Sequence, residues 1–178
     1  MDILDHLTEE HRSVEALLRT LADTEPGNVR TKTFEALERS LTTHMEIEER
    51  YVYPIVQRVV GADEEHGAEN EHELARSGLE QMRSLVAEPG FGAAVEMMQA
   101  GISHHVEEEE QKIFPRLRTK AAKEIEALGD PIELKASMRT DALHEQTKDE
   151  LYEQAKAAGI EGRSSMSKAE LEDALAAR

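Results

Sequence analysis

His44-Met-Glu-Ile-Glu-Glu-Arg-Tyr-Val-Tyr-Pro54 and, 61 residues on, His105-Val-Glu-Glu-Glu-Glu-Gln-Lys-Ile-Phe-Pro115 decide how this chain folds. Each places a Glu one helical turn after a His, so Glu48 shares a helix face with His44, and Glu109 with His105. The same shift carries His11 onto His72 and Tyr53 onto Phe114 without a net insertion. Apolar positions follow it too: Leu18 maps to Leu79, Leu21 to Met82, Leu37 to Met98 and Leu41 to Ile102. An internal repeat constrains element number and order, so it is read before local propensity.

Working outward, each repeat holds two helical stripes with apolar residues three or four apart. The first runs Ile3, Leu7, His11, Val14, Leu18, Leu21 and stops at Glu25-Pro-Gly-Asn28. The second runs from Phe34 through Leu41, His44, Glu48 and Val52 to Val59, ending near Gly61. Ala68, His72, Ala75, Leu79, Met82 and Val86 make the third, closed by Glu88-Pro-Gly90. Val95, Met98, Ile102, His105, Glu109, Ile113 and Leu117 make the fourth. Short connections make neighbouring helices antiparallel. The expectation is an all-α protein, an up-down-up-down four-helix bundle with a small C-terminal helix-loop-helix appendage. Pro54 and Pro115 each remove one backbone N–H and should bend their helices just beyond the polar cluster.

Composition agrees. Aromatics are 3% of the 178 residues and there is no Trp, which disfavours a pleated sheet. The net charge of −17 repels a phosphate backbone and points to cations or small neutral molecules as partners. Without cysteine, disulfides and iron–sulfur clusters are excluded, and any metal must sit on nitrogen and oxygen. No signal-like N-terminus and no apolar run of ~18 residues occurs, so the chain is expected to be cytoplasmic with no membrane association.

Each of the four stripes contains an inward polar residue: His11, His44, His72 and His105, with Glu48 and Glu109 one turn after two of them. Burying unpaired carboxylates costs several kcal/mol or forces them to neutralise. A lone His on an apolar stripe is usually a satisfied core group; four His and two Glu related by one offset are better explained by a pair of cations. Mixed imidazole and carboxylate donors favour Fe, Mn or Zn over Ca or Mg. Six protein ligands on two metals would leave coordination positions open.

These residues, with Glu71-His72, Tyr51-Val-Tyr-Pro54 and Ile113-Phe-Pro115, resemble the hemerythrin-like HHE cation-binding domain over about residues 1–120. The resemblance implies a non-haem, oxo- or hydroxo-bridged di-iron centre on His11, His44, His72, His105, Glu48 and Glu109, with Zn or Mn as substitutes. It implies O2, NO or peroxide as small-molecule ligand, in oxidative-stress handling or oxygen and iron sensing. Peroxide disproportionation is compatible with such a centre, since it needs no cysteine. The oxygen-carrying members have a second His where this chain has Arg76, and an Asp five residues after the fourth-helix His, where this chain has Glu109 at four. Those departures point away from reversible O2 transport and toward the wider HHE group.

Tyr51, three residues after Glu48, is the candidate catalytic phenol, able to hydrogen-bond a bound oxygen species or ligate iron; its repeat mate is Lys112. His104 and Glu108 repeat the His–Glu spacing one residue out of register and read as surface or supporting groups. Glu69 is three residues before His72, a weak ferritin-like spacing. His6 and His66 are expected at the solvent, His144 outside the bundle, and the Met residues of the third and fourth helices in the core. Residues 121–146 read as a helical linker. Residues 147–178 carry two capping boxes, Thr147-Lys-Asp-Glu150 and Ser167-Lys-Ala-Glu170, around an extended loop. This module resembles the Rho N-terminal/SAP-like helix-extended-loop-helix, which implies protein or nucleic-acid docking. From Asp141 to Arg178 there are nine acidic and five basic residues, a net of −4, which favours a protein partner over nucleic acid. The alternative function is a metal-responsive regulator whose tail docks such a partner.

Overall fold

The computed structural model describes residues 1–177, with side chains given for all but residues 140–145. His144, expected outside the bundle, falls in that stretch and lies outside the described side chains. Among the described residues there is helix and no strand. The chain divides into two compact units, Met1–Asp130 and Pro131–Arg178.

The first unit is the expected bundle. Helix α1 (Ile3–Ala22) starts at Asp2, whose Oδ1 accepts the Asp5 N–H at 2.9 Å. This satisfies one of the donors left over at any helix start. Helices α2 (Asn28–Ile47) and α3 (Tyr53–Val59) are joined by a π-helical turn, Glu48–Val52, into one long rod. After the Gly61 turn comes α4 (Ala62–Leu85). Gly90, at φ +96°, makes the turn into α5 (Phe91–Glu108). That left-handed conformation suits Gly, which has no Cβ to clash. A second π turn, Glu109–Ile113, joins α5 to α6 (Phe114–Lys120), and the short α7 (Ala122–Ala127) follows. Helix α1 packs on α2 and α5, and α4 on α5 and α3, which closes the bundle.

The stripes read from the sequence face inward. Leu18, Leu37, Met45, Met82 and Val95 are buried in one core, with Phe34 set edge-on to Phe91 at 6.5 Å between ring centres. Each such side chain contributes about 1.5–3 kcal/mol of apolar burial. The Met expectation holds for Met82 and Met98 but not for Met97, which is 70% exposed.

A π turn runs into each of the two prolines, and both features are ordinary causes of a helix bend. Pro54 has no N–H for the carbonyl one α-turn back. The chain widens here instead: the Tyr53 N–H reaches the Glu48 carbonyl, five residues away, and Phe114 does the same to Glu109. A π turn holds one extra residue, so every side chain beyond it is rotated relative to an α-helical reading.

The second unit has its own small core of Leu151, Ala155, Ile160 and Leu171. Helix α8 (Pro131–Glu145) precedes α9 (Lys148–Ala157) and α10 (Lys168–Ala176), with a 3-10 turn at Arg163–Ser165 between the last two. Both capping boxes form: Thr147 with Glu150, and Ser167 with Glu170.

Candidate metal centre

Midway along the bundle, the six donors expected from the sequence come together. His11 comes from α1, His44 from α2, His72 from α4 and His105 from α5, while Glu48 and Glu109 open the two π turns. All six are buried, Glu48 completely. His44 Nε2 and His72 Nε2 each lie 3.2 Å from Glu48 Oε2. His11 Nε2 is 3.3 Å and His105 Nε2 3.5 Å from Glu109 Oε2. The rings of His11 and His44 are 4.7 Å apart, and those of His72 and His105 are 4.9 Å apart.

These contacts do not satisfy the inner atoms. Nε2 of His11, His44 and His105, both oxygens of Glu48 and Oε2 of Glu109 are buried without a hydrogen-bond partner of acceptable geometry. One unmet buried polar group costs about 1–3 kcal/mol, so six at one point require compensation. His11, His44, Glu48, His105 and Glu109 each offer a ligand atom within 4.8 Å of the others. Nitrogen and carboxylate donors converging in this way fit a transition-metal cation. The cluster is therefore a candidate metal-binding site.

The outer nitrogens explain how the rings are aimed. Each Nδ1 faces a carboxylate: His11 with Glu110 at 2.9 Å, His44 with Glu10 at 3.2 Å, His72 with Glu49 at 2.7 Å, and His105 with Glu71 at 2.9 Å. A Nδ1–H donated outward fixes the tautomer and leaves the Nε2 lone pair pointing inward, as a metal ligand requires. The carboxylates are themselves held. Arg12 donates to Glu110, and Arg76 donates to both oxygens of Glu49 at 2.8 and 2.7 Å. His104 Nε2 lies 3.3 Å from Glu71, and His6 Nε2 lies 3.5 Å from Glu10. His6, expected at the solvent, is thus mostly covered, with its side chain 20% exposed, whereas His66 is open to solvent.

Without a cation, the buried charges act on one another. Burial works against charged imidazoles, yet Glu109, Glu48 and Glu71 hold His105 well above its ordinary value. His11 and His72 are raised by the same contest between burial and neighbouring carboxylates. Burial would raise the Glu48 carboxyl, but His44, His105 and His72 pull it well below the usual range.

The phenol in this site is that of Tyr53, which revises the expectation placed on Tyr51. Tyr53 Oη lies 2.9 Å from His72 Nε2 and 3.4 Å from Glu109 Oε1. Burial, then the charges of Glu109 and Glu48, raise its ionisation well above 10. Tyr51 is half-buried, with the Arg50 guanidinium 5.6 Å from its ring centre. The π turn is the reason: i to i+5 replaces i to i+4, so Tyr53 follows Glu48 onto the inner face. Its repeat mate, Phe114, stacks on His11 at 6.0 Å and has no hydroxyl. The four outer carboxylates were also missed. Their signal was available, since Glu10 maps to Glu71 and Glu49 to Glu110 under the same 61-residue shift.

A chamber of about 410 Å3 reaches these imidazoles from the outside between α4 and α5. Two further His and carboxylate groupings exist among the described residues, Glu65–His66–Glu69 and Glu71–His104–Glu108, both partly exposed. No helix among the described residues is long and apolar enough to cross a membrane.

Comparison with known proteins agrees with this geometry. The family model of the hemerythrin HHE cation binding domain matches residues 2–117. A curated relative described as a DNA nickase, from Nostoc sp. (strain PCC 7120 / SAG 25.82 / UTEX 2576), is 26% identical over 125 residues. That match covers 70% of this chain and 36% of the relative, so the chain spans about a third of the relative's length. No solved structure matches significantly. With a bundle, a repeat and a buried His/Glu cluster inside the matched segment, the chain belongs to the hemerythrin HHE cation-binding family.

Proposed function

We propose that this chain is a non-haem di-iron protein that binds O2, NO or peroxide and handles oxidants or senses oxygen or iron. In this reading His11, His44, His72 and His105 would hold two irons through their imidazoles, with Glu48 and Glu109 as carboxylate ligands. The carrying observation is the set of buried, partnerless inner nitrogens and oxygens facing one another. Iron supplies redox chemistry and open coordination positions. The chain supplies the rest. Glu10, Glu49, Glu71 and Glu110 hold the imidazole tautomers. Tyr53 keeps a proton on Oη beside His72 and Glu109. Peroxide disproportionation, two H2O2 giving two H2O and one O2, is the enzymatic form of this proposal. Zn or Mn are the substitutes this donor set accepts.

A second reading is a metal-responsive regulator. Its support is that the partnerless inner groups make the metal-free bundle less stable than the loaded one, so metal supply biases folding. Residues 147–178, proposed as a Rho N-terminal/SAP-like module, would then dock a protein partner. A net charge of −17 makes nucleic acid the poorer partner. The cytoplasm is the compartment proposed.

The test is metal analysis with an optical spectrum of purified protein. A near-ultraviolet oxo-iron band that reductant bleaches, together with iron content lost in His44→Ala and Glu109→Gln, is expected. Unchanged iron in both variants overturns the ligand set. A colourless zinc protein overturns the redox reading, and an iron-dependent gain in protease resistance without turnover favours the regulator.

A further inference from the structure

The two halves of the bundle are built to one pattern, but the α4–α5 pair departs from it at one place. Gly78 stands where the first half has Leu17, Gly101 where it has Ser40, Ala75 where it has Val14 and Ala94 where it has Thr33. All four residues are smaller, and all four line the chamber of about 410 Å3. At its rim stand Leu74 and Met97, 72% and 70% exposed. Their mates are Ser13 and Ala36, so the second half has placed apolar groups at a surface where the first has small ones. The inner end is the imidazole cluster with Glu71.

Size and lining restrict what this space takes. At about 30 Å3 per water it would hold roughly fourteen waters. That far exceeds the needs of a diatomic gas and falls within the range of about 300–1,000 Å3 typical of organic-ligand pockets. The walls are chiefly Leu, Val, Ile, Met, Ala and Gly; polar groups gather at the inner end, and elsewhere the lining has only Ser77, Gln81 and His104. An anion would meet Glu71 and the field of a −17 chain, and a cation would lose its water against apolar walls.

The geometry points to the α4–α5 chamber as a binding site for an uncharged, mainly hydrocarbon organic molecule, whose polar end reaches the imidazole cluster. Binding itself stands on the chamber. That the molecule is a substrate of the metal centre rests on the di-iron reading above. Met98 is a buried wall of the chamber: a Cβ built on Gly78 would lie 2.7 Å from Met98 Cε, so this flexible side chain packs against the glycine.

The experiment titrates Nile red, an uncharged fluorophore, into the full chain, with metal content measured on the same samples. Saturable one-to-one binding is expected, with displacement by 1-decanol and not by decanoate. Gly101→Phe should weaken it at least tenfold (its added side chain starts in open space, with nothing within 4 Å of the new Cβ) while Gly101→Ala retains it. Gly78→Leu, which installs the Leu17 side chain, is a second blocking variant, and thermal melts by circular dichroism verify that each is folded. Absent or unsaturable binding, equal binding in folded Gly101→Phe and Gly78→Leu, or displacement by decanoate as good as by decanol overturns the inference. Loss of the di-iron reading would show in metal content while dye binding stands, and loss of this inference would show the reverse.

Discussion

Tyr53→Phe makes the two halves of the centre alike, and its effect should depend on whether metal is bound. In the metal-free chain the Tyr53 hydroxyl is the partner of His72 Nε2 at 2.9 Å, and it also contacts Glu109 Oε1 at 3.4 Å. Removing it leaves a buried ring nitrogen unmet, a loss of about 2 kcal/mol within the usual 1–3. In the loaded chain of the proposed ligand set, His72 Nε2 is on the metal, and only the long contact to Glu109 is lost, about 1 kcal/mol. The difference of about 1 kcal/mol must appear as tighter metal binding, roughly fivefold. Chelator competition measures that affinity directly, and urea melts with and without metal close the thermodynamic cycle. Equal destabilisation of both forms, or weaker metal binding in Tyr53→Phe, would refute the assignment of His72 Nε2 to the metal and of Tyr53 as its metal-free partner.

Other expectations follow from the same contacts. Glu49→Gln removes the charged acceptor of His72 Nδ1 and of Arg76, and should cost about 10–100-fold in metal affinity by chelator competition. Asp2→Ala deletes the cap of α1 and should cost about 1 kcal/mol in a urea melt. Burial opposes the Asp2 charge, but the Asp5 N–H and Arg118 hold its carboxyl below 3.8, so its contribution is present above that value and lost as pH falls through the lower folded one. In the metal-free chain, raised His11, His72 and His105 contribute stability that is full below 6.5 and lost as pH rises through their folded values. Lowered Glu48 contributes above 4.5 and loses this as pH falls. Urea midpoints with chelator should therefore decline from pH 6.5 to 9, whereas metal affinity should rise over the same interval because protons compete for Nε2. A metal-free midpoint that climbs with pH there would contradict this.

The bundle was legible because its period and its repeat agree: Leu18 with Leu79 and Leu41 with Ile102 fix both the inner face and the pairing of halves. The six donors were legible for the same reason, since polar residues on an apolar stripe stand out. Tyr53 was not, because an α-helical count from Glu48 points to Tyr51, and the count changes only where Pro54 and Pro115 favour a π turn. The outer carboxylates were hidden by abundance. With 38 acidic residues, Glu10, Glu49, Glu71 and Glu110 look like solvated surface until their partners on other helices are seen. Met97 illustrates the converse: its residue type suggests core, and only the packing shows it at the rim of a chamber.

The bracing of the imidazoles is reciprocal between the halves. Glu10 aims His44 and Glu71 aims His105 inside their own repeats, but Glu49 aims His72 and Glu110 aims His11 across the boundary. Neither half can finish its own ligands. A half-length ancestor would have needed two copies clasped together, and in the fused chain a change at Glu49 must be answered on α4, not beside itself. A substitution at Leu74 or Met97 touches none of these braces, whereas one at Glu49 or Glu110 disturbs a ligand of the opposite half.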